Sequence, residues 1–432
     1  MDSRPRSEPP LDPRWLDILA QRCSDLRSGA RFEDLFLEQR LELRAAFSCG
    51  EFEVEACRLE GVASRWRSPS RTILRARTGI SAATIGEVLV HRSDRAPMPS
   101  FRPLPAPELD PPRGWLEWAR GLAGRLAPLH GVVRYISRRA VVVRADGWAV
   151  VSTPALVRIE HGGERPAALL AVLGHPRTGA WLQELLEAIP HKTWAPAPGT
   201  GMPVLFSAGT AGSLIHEVVG HMVESDLVSS GASPLADLLG ATISAPGLEI
   251  VDDPTRSDLA GAFDCDDEGV PAAPVAVVRA GRFERFLCDR EGAGALRCDP
   301  GRGRRASWSR PPVARLSNLV VSGGDTPPED LVAGLDHGLM VTRVGGATVD
   351  PLSLRLVLRV ERGWEVRNGR RRRALAPFEL TGSVMEVLAN IDPRIGADPT
   401  PDWRLGWCVK DGLPLPTGSE APSLLVRRLE VL

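Results

Sequence analysis

The amino-acid sequence predicts an α+β fold: a mixed α/β N-terminal domain followed by a β-rich C-terminal domain that carries a histidine-bearing helix. The first half mixes segments of helical and strand periodicity without a regular β-α-β alternation, and after residue 191 most segments alternate as strands do, with frequent turns. We therefore predict a disordered tail at 1–13, an N-terminal domain at 14–190 and a C-terminal domain at 191–432, as the length of 432 residues allows.

Helical and alternating segments follow one another in the first hundred residues. Apolar residues recur at helical spacing from Trp15 to Leu26, which predicts an amphipathic helix that ends near Gly29. Residues 41–47 and 51–59 alternate as strands do. Residues 92–113 are rich in proline and predict a long loop inside the N-terminal domain.

The rest of the N-terminal domain continues this mixture. Apolar residues at helical spacing predict a helix over 115–126. Two strand-like runs, 132–143 and 149–159, are joined at an Asp146-Gly147 turn. A short helix over 180–189 stops at a proline.

The predicted C-terminal domain is mostly β-like. A strand at 203–207 leads into the histidine-bearing helix, and residues 275–279 and 282–288 predict a hairpin. Residues 352–360 alternate as one strand. Asn368-Gly369 marks a second hairpin turn, and the four arginines that follow it predict a solvated edge strand rather than a basic binding site.

Composition excludes several classes of partner. The chain has 53 lysines and arginines against 54 aspartates and glutamates, which gives no electrostatic reason to expect nucleic acid or an acidic membrane surface. Its apolar runs are too short to span a bilayer, and its polar N-terminus has no apolar signal core. The seven cysteines form no CxxC pair, so we predict no disulfide framework and a cytoplasmic location.

One motif carries candidate chemistry: His216-Glu217-x-x-x-His221. Neutral imidazoles are good zinc ligands, and a carboxylate beside a metal-bound water can accept its proton. Zinc-binding histidines on a helix are usually four residues apart, about 40° around the axis, whereas a separation of five places them about 140° apart. We therefore predict a distorted turn over residues 218–221, where Gly220 makes distortion cheap. The alternative is two unrelated histidines on a partly buried helix.

Residues well beyond this motif share a pattern with a known family. The matches are Gly212, Leu214, Gly220, Glu224 and Asp226 around the motif, Asp266-Asp267-Glu268-Gly269, Arg315 and Asn318 in an R-x-x-N segment, the Asn368-Gly369 hairpin, Leu380-Thr381-Gly382-Ser383, and Cys408-Val409-Lys410-Asp411-Gly412. Together they resemble the TldD family of metallopeptidases, which also includes TldE (PmbA). The resemblance is specific from about residue 195 to the C-terminus and loose before it.

This resemblance implies a site and a reaction. It implies that Cys408 is a third zinc ligand beside His216 and His221, with Glu217 as general base on a zinc-bound water. The implied substrates are peptides or unfolded polypeptide segments. The implied partner is a TldE/PmbA-like subunit in a heterodimer, with a homodimer as the other possibility; no nucleic acid or membrane partner is expected.

Two other functions stay open at this point. One is a non-catalytic peptide-binding or assembly subunit with a structural metal, and Glu217 argues against it because a structural site needs no such carboxylate. The other is a metal-dependent hydrolase of a non-peptide bond.

Two acidic features and one lysine accompany the motif. Glu224 and Asp226 lie just past His221, and we expect one of the two to orient an imidazole as a hydrogen-bond acceptor. The cluster from Asp264 to Glu268 could bind a second cation, but we interpret it as a solvated turn whose carboxylates cap local backbone amides. Lys410, one of two lysines in the chain, lies two residues from Cys408.

Overall fold

The computed structural model describes most of the chain. It covers residues 12–26, 31–48, 51–68, 71–89, 113–126, 130–162, 167–186, 195–199, 201–350, 353–403 and 406–432. The predicted tail at 1–13 lies outside this part except for its last two residues, where the first helix begins, and the predicted loop at 92–113 lies outside it except for Arg113. The domain division at residue 190 stays a prediction, because residues 187–194 also lie outside.

The N-terminal region is one antiparallel sheet with helices packed against it. Its elements are α1 (Pro13–Asp25), β1 (Arg31–Ser48), β2 (Glu51–Ser68), β3 (Arg71–Thr78), α2 (Ala82–Leu89), α3 (Trp115–Leu126), β4 (Gly131–Arg144), β5 (Gly147–Ser152), β6 (Leu156–His161), β7 (Ala167–Val172) and α4 (Thr178–Leu186). The strand order is β3-β2-β1-β4-β6-β7, with β5 beside β4. The predicted run at 149–159 is two strands, because residues 153–155 break the ladder.

The two faces of this sheet are buried against different partners. Leu16 and Leu19 of α1 are fully buried and pack on Leu35 and Val141 of the sheet. Alternate residues of a strand point to opposite faces. On the opposite face Phe36, Ala140 and Val142 pack against Cys265 and Trp308 of the C-terminal region. The sheet is thus the layer between its own helices and the rest of the chain.

The C-terminal region is rich in strands, as the sequence predicts. Its elements are β8 (Met202–Phe206), α5 (Ala211–Ile215), a π-helix (His216–Gly220), a 3-10 turn (His221–Val223), α6 (Ser225–Ser229), β9 (Ile250–Asp252), β10 (Val275–Arg279), β11 (Arg282–Phe283), α7 (Arg290–Leu296), β12 (Gly303–Arg304), β13 (Val313–Ala314), β14 (Asn318–Val321), α8 (Pro328–Ala333), β15 (His337–Asp350), β16 (Arg355–Arg367), β17 (Arg370–Leu375), β18 (Phe378–Ser383), α9 (Val384–Ala389), β19 (Ile391–Ile395), β20 (Thr400–Pro401), β21 (Trp407–Lys410), β22 (Leu413–Pro416), β23 (Gly418–Ala421) and β24 (Leu424–Val431).

Two sheets organise this region. One has the order β15-β8-β24-β18-β16-β17, and because β15 also pairs with β16, five of its strands close a ring. The other has the order β11-β10-β9-β14-β23-β20. The buried residues of α5 and the π-helix lie in one core with apolar residues of both sheets. The predicted Asn368-Gly369 turn has both residues at positive φ, 50° and 67°, and the arginine strand β17 is exposed at the sheet edge.

The histidine-bearing helix is distorted where the sequence predicts it. The backbone N–H of His221 donates to the carbonyl of His216, which is the i to i+5 hydrogen bond of a π-helix. Gly220 has φ −51° and ψ −57°, values that any residue adopts. Its lack of a side chain matters for packing instead, since an added Cβ would lie 2.9 Å from Cδ2 of Leu316 and 3.4 Å from that of Leu319.

Asp266, Asp267 and Glu268 of the acidic turn are buried, which corrects the expectation that the turn is solvated; Asp264 is exposed. Asp266 and Glu268 are at most 1% exposed. The expectation of capping is confirmed: Asp266 accepts from the backbone N–H groups of Glu268, Val270 and Gly303. Burial was not foreseeable from the turn itself, because the region that covers it comes from the N-terminal sheet.

Arginines of the N-terminal sheet pair with this turn. Arg65 of β2 contacts Glu268 at 2.6 Å and Asp34 at 2.6 Å, and all three side chains are buried. Arg138 of β4 contacts Asp267 at 2.9 Å. The ionic contacts therefore fix the N-terminal sheet on the C-terminal region.

Two further findings concern bonds and membranes. Cys288 and Cys298 form a disulfide across ten residues, a pair that the cysteine pattern did not predict. Within the described residues, every helix is too short or too polar to cross a bilayer.

We predict that Arg65→Ala lowers the free energy of unfolding by about 3–5 kcal/mol, because it leaves the buried Glu268 without its cation and leaves Asp34 with only Arg305. Urea denaturation measures the change. Arg77→Ala is the control, since Arg77 and its partner Glu87 are each more than half exposed, and we expect a loss of at most about 1 kcal/mol. Equal losses in the two variants would contradict a buried ionic junction.

We predict that Gly220→Ala destabilises the protein by about 1–3 kcal/mol through crowding against Leu316. Thermal denaturation measures this. Gly294→Ala in α7 is the matched control: a Cβ there meets no atom within 4 Å, so alanine stabilises the helix by about 0.5–1 kcal/mol. A neutral Gly220→Ala would show that close packing does not require this glycine.

Candidate metal centre

The two motif histidines face each other across the distorted turn. The i to i+5 hydrogen bond adds one residue to the turn and brings side chains five residues apart onto one side of the helix. The ring centroids of His216 and His221 are 4.8 Å apart, with the ring planes at 87°. We call residues 211–226 the helix arm. Both rings of this arm thus point toward one place.

A hairpin brings the predicted cysteine to the same place. Strands β21 and β22 pair in register from Trp407 with Pro416 to Lys410 with Leu413, and we call residues 407–416 the hairpin arm. Cys408 is buried, and its Sγ lies 3.1 Å from Nε2 of His221. One ligand atom from each of His216, His221 and Cys408 lies within 4.8 Å of the others.

Glu224 orients His221. Its Oε2 lies 2.9 Å from Nδ1 of His221, and its Oε1 accepts from the backbone N–H of Leu316 at 2.9 Å. With Nδ1 occupied in this way, Nε2 is the nitrogen that faces Cys408. Of the two acidic residues considered from the sequence, Glu224 therefore contacts the imidazole.

Asp226 instead contacts the lysine of the hairpin arm. The ammonium of Lys410 lies 2.6 Å from Asp226 and 2.8 Å from Glu224. The rarity of lysine in the chain was the signal for this residue, and the contact shows why a compact, strongly hydrogen-bonding ammonium stands here.

Opposite charges set the protonation states in this group. Burial by itself raises the pKa of the Cys408 thiol, but the imidazoles of His221 and His216 lower that pKa well below its ordinary value. Burial by itself lowers the pKa of His221, whereas Glu224 and Cys408 raise it well above the ordinary histidine value. His221 and Lys410 lower the pKa of Glu224 against the effect of burial. Cysteine is therefore held as the thiolate, the form that binds metals.

The donor set fits zinc. Two imidazoles and one thiolate match a catalytic zinc site with three protein ligands and an open position. Nδ1 of His216 is also buried without a hydrogen-bond partner in the described part of the chain, which leaves a polar atom at the site unsatisfied. Soft sulfur and borderline nitrogen ligands disfavour magnesium or calcium, which prefer oxygen.

Glu217 lies beside this group at the wall of a cavity. The cavity has a volume of about 590 Å³ and is lined by both regions of the chain. Its walls include Arg158, Ala168, Leu169 and Leu170 from the N-terminal sheet, Ser213, His216, Glu217, His221 and Met222 from the helix arm, residues 344–349 of β15, and residues 406–411 around the hairpin arm. Glu217 is only 8% exposed, and that remaining surface faces a space large enough for a ligand.

Sequence reasoning missed the N-terminal part of this wall. Residues 168–170 lie on an ordinary apolar strand, and nothing in their pattern distinguishes a strand that closes a cavity from one that fills a core. Arg158 lies over the ring of Trp407, with 5.9 Å between the guanidinium carbon and the ring centroid. This contact joins the two regions at the rim of the cavity, and no local sequence pattern predicts it.

The part of the chain that matches a known family model also contains the proposed metal ligands. Residues 198–432 match the model of the PmbA/TldA metallopeptidase C-terminal domain. A metalloprotease TldD homolog of Buchnera aphidicola is 29% identical over 260 residues, which are 60% of this chain and 54% of that protein. A zinc metalloprotease TldD homolog of Saccharolobus solfataricus is 26% identical over 232 residues, 53% of this chain and 51% of that protein. The chain thus spans about half the length of the curated relatives it matches.

The fold as a whole has solved counterparts. The crystal structure of TldE from Thermococcus kodakarensis superposes with a TM-score of 0.70 at 15% identity, over 96% of this chain and 99% of that one. That likeness extends to the N-terminal region, where the sequence resemblance is loose. Because the family model matches more than half of the chain, up to its C-terminal residue, the chain belongs to the PmbA/TldD family of metallopeptidases.

Proposed function

We propose that this chain is a zinc-dependent peptidase that hydrolyses peptides or unfolded polypeptide segments. The observation that carries the proposal is the convergence of His216, His221 and Cys408 at one wall of a cavity that Glu217 also lines. The family relationship supports a metallopeptidase, and the donor set supports zinc as the metal.

The residues divide into ligands and a base. His216, His221 and Cys408 would hold the metal, which when bound polarises a carbonyl and makes water a better nucleophile. Glu217 is the carboxylate placed to take the proton of the attacking water and to deliver it to the leaving amine. Glu224 holds the ring of His221 in one orientation, which keeps its Nε2 directed at the site.

The size of the cavity supports an extended substrate. A volume of about 590 Å³ accommodates a few residues of a chain and excludes a folded domain. Its lining combines aliphatic side chains and the backbone of Gly345 and Gly346 with the charged residues Arg158, Lys410 and Asp411.

Two competing functions are separated from the proposed peptidase by different observations. A subunit with only a structural metal has no use for a carboxylate at the cavity wall, since structural zinc sites are closed by four protein ligands. A hydrolase of a non-peptide bond would use the same carboxylate and metal, and it is separated from the proposed peptidase by the substrate that is turned over.

We also propose an oligomeric partner. The family includes TldD-like and TldE-like chains, and this chain carries the metal motif, so a TldE/PmbA-like subunit or a second copy of this chain is the partner that we expect. Size-exclusion chromatography with light scattering, alone and with a coexpressed TldE-like subunit, distinguishes the two assemblies.

We predict that Glu217→Gln lowers kcat for cleavage of unfolded casein by about 10²–10⁴-fold while the zinc content stays unchanged, because the general base is removed and the ligands are not. Digestion assays and elemental analysis on the same samples measure both. Glu379→Gln, at an exposed carboxylate of β18, serves as control and should behave as the unaltered protein. Full cleavage by Glu217→Gln would refute the proposed mechanism.

We predict that Cys408→Ser weakens zinc binding, because it removes a ligand. The loss of affinity should exceed the about 10- to 100-fold loss that follows from changes to residues which only orient the ligands. Competition with a chromophoric chelator measures the affinity, and chelation followed by zinc addition should abolish and restore cleavage. Cys57→Ser, at an exposed free cysteine, is the matched control. Unchanged affinity in Cys408→Ser would remove this cysteine from the proposed site.

A further inference from the structure

A short segment between the two arms touches both of them. Residues 314–316, which we call the strut, run from the end of β13 into the R-x-x-N segment noted in the sequence. The proposed reaction gives this segment no role. Its Arg315 is fully buried, as are its two neighbours.

Arg315 binds both strands of the hairpin arm. Its Nη2 donates to the carbonyl of Cys408 at 2.7 Å, and its Nη1 donates to the carbonyl of Leu413 at 3.1 Å. The first carbonyl belongs to the proposed ligand itself. A planar guanidinium offers two parallel donors at a fixed spacing, which an ammonium does not.

The backbone of the strut binds the helix arm. The N–H of Leu316 donates to Oε1 of Glu224, whose other oxygen holds His221. The carbonyl of Ala314 accepts from Lys410 at 3.3 Å, and the same ammonium reaches Glu224. Each arm is therefore tied to the strut by hydrogen bonds that end on a proposed ligand or on the residue that orients one.

The charge of Arg315 indicates that this contact is specific. Among the described residues, no carboxylate lies within 4 Å of its guanidinium, so a fully buried cation is held chiefly by backbone carbonyls. Burial of a charge without an ion-pair partner is expensive, and an apolar side chain would fill the same volume at less cost. A positioning role accounts for the retention of a cation here.

We propose that Arg315 and Lys410 are positioning residues of the metal centre: they fix the hairpin arm to the helix arm so that the sulfur of Cys408 meets the two imidazoles. The inference rests on the proposed zinc site. Because the three proposed ligands come from segments nearly two hundred residues apart, their geometry depends on how the arms are held, and the strut holds both.

The test measures zinc affinity by chelator competition in the full-length protein and in Arg315→Lys, Arg315→Met and Lys410→Met. We expect affinity to fall about 10- to 100-fold in each, as for other changes to groups that orient metal ligands. Arg315→Lys keeps the positive charge but loses the paired hydrogen bonds to the carbonyls of Cys408 and Leu413. It therefore separates the effect of hydrogen-bond geometry on zinc affinity from the effect of charge. Circular dichroism establishes that each variant is folded, and Lys410→Met decides the question if both Arg315 variants fail to fold.

A matched control separates positioning from general stability. Arg302 is also a buried arginine, but it binds Asp252 and the carbonyl of Ala273 rather than the hairpin arm. Arg302→Lys should lose stability and keep its zinc affinity. Cobalt substitution in the unaltered protein supplies the second readout, since a sulfur-to-cobalt absorption band that Cys408→Ser abolishes identifies the thiolate ligand.

The outcomes distinguish the two proposals. Absence of the sulfur-to-cobalt band in the unaltered protein would overturn the zinc site and this inference together. Presence of the band with unaltered zinc affinity in the folded Arg315 and Lys410 variants would overturn the inference alone. A loss of affinity equal to that of Arg302→Lys would likewise show that the effect is one of stability and not of position.

Discussion

The proposed site depends on one backbone hydrogen bond, from the N–H of His221 to the carbonyl of His216. A regular α-helix would bond each N–H four residues back and would point these two side chains in different directions. The i to i+5 bond places one more residue in the turn, so that both imidazoles lie on the same side. The rest of the site is arranged around this turn: Gly220 lets Leu316 approach it, and Leu316 in turn contacts the glutamate that orients His221.

Charge buried between the two regions has a second structural role. The acidic turn at 266–268 offers its carboxylates both to local backbone amides and to arginines of the N-terminal sheet. The same sheet supplies one wall of the cavity that Glu217 lines, so the ionic junction and the cavity wall belong to one layer of the structure. A turn that resembles a cation site in sequence is thus satisfied by the chain's own cations.

The sequence predicted local features better than long-range ones. Helices such as α1 and α3 and the Asn368-Gly369 hairpin followed from periodicity and turn chemistry, which act over a few residues. The run at 149–159 was expected as one strand because periodicity continues across residues 153–155, where the ladder is broken. The burial of Asp266 was missed since its cover comes from a strand more than a hundred residues earlier.

By itself the sequence determined the candidate residues of the site and the distortion that they need. A separation of five between histidines is incompatible with one metal on a regular helix, so a distorted turn over residues 218–221 was predicted, and the structure shows it as a π-helix. Cys408 entered through family resemblance. Only the tertiary structure decided that its sulfur lies 3.1 Å from His221, that Glu224 rather than Asp226 holds that ring, and that Arg315 binds the hairpin. These contacts join segments distant in the chain, and hydrophobic periodicity carries no information about which distant polar groups will meet.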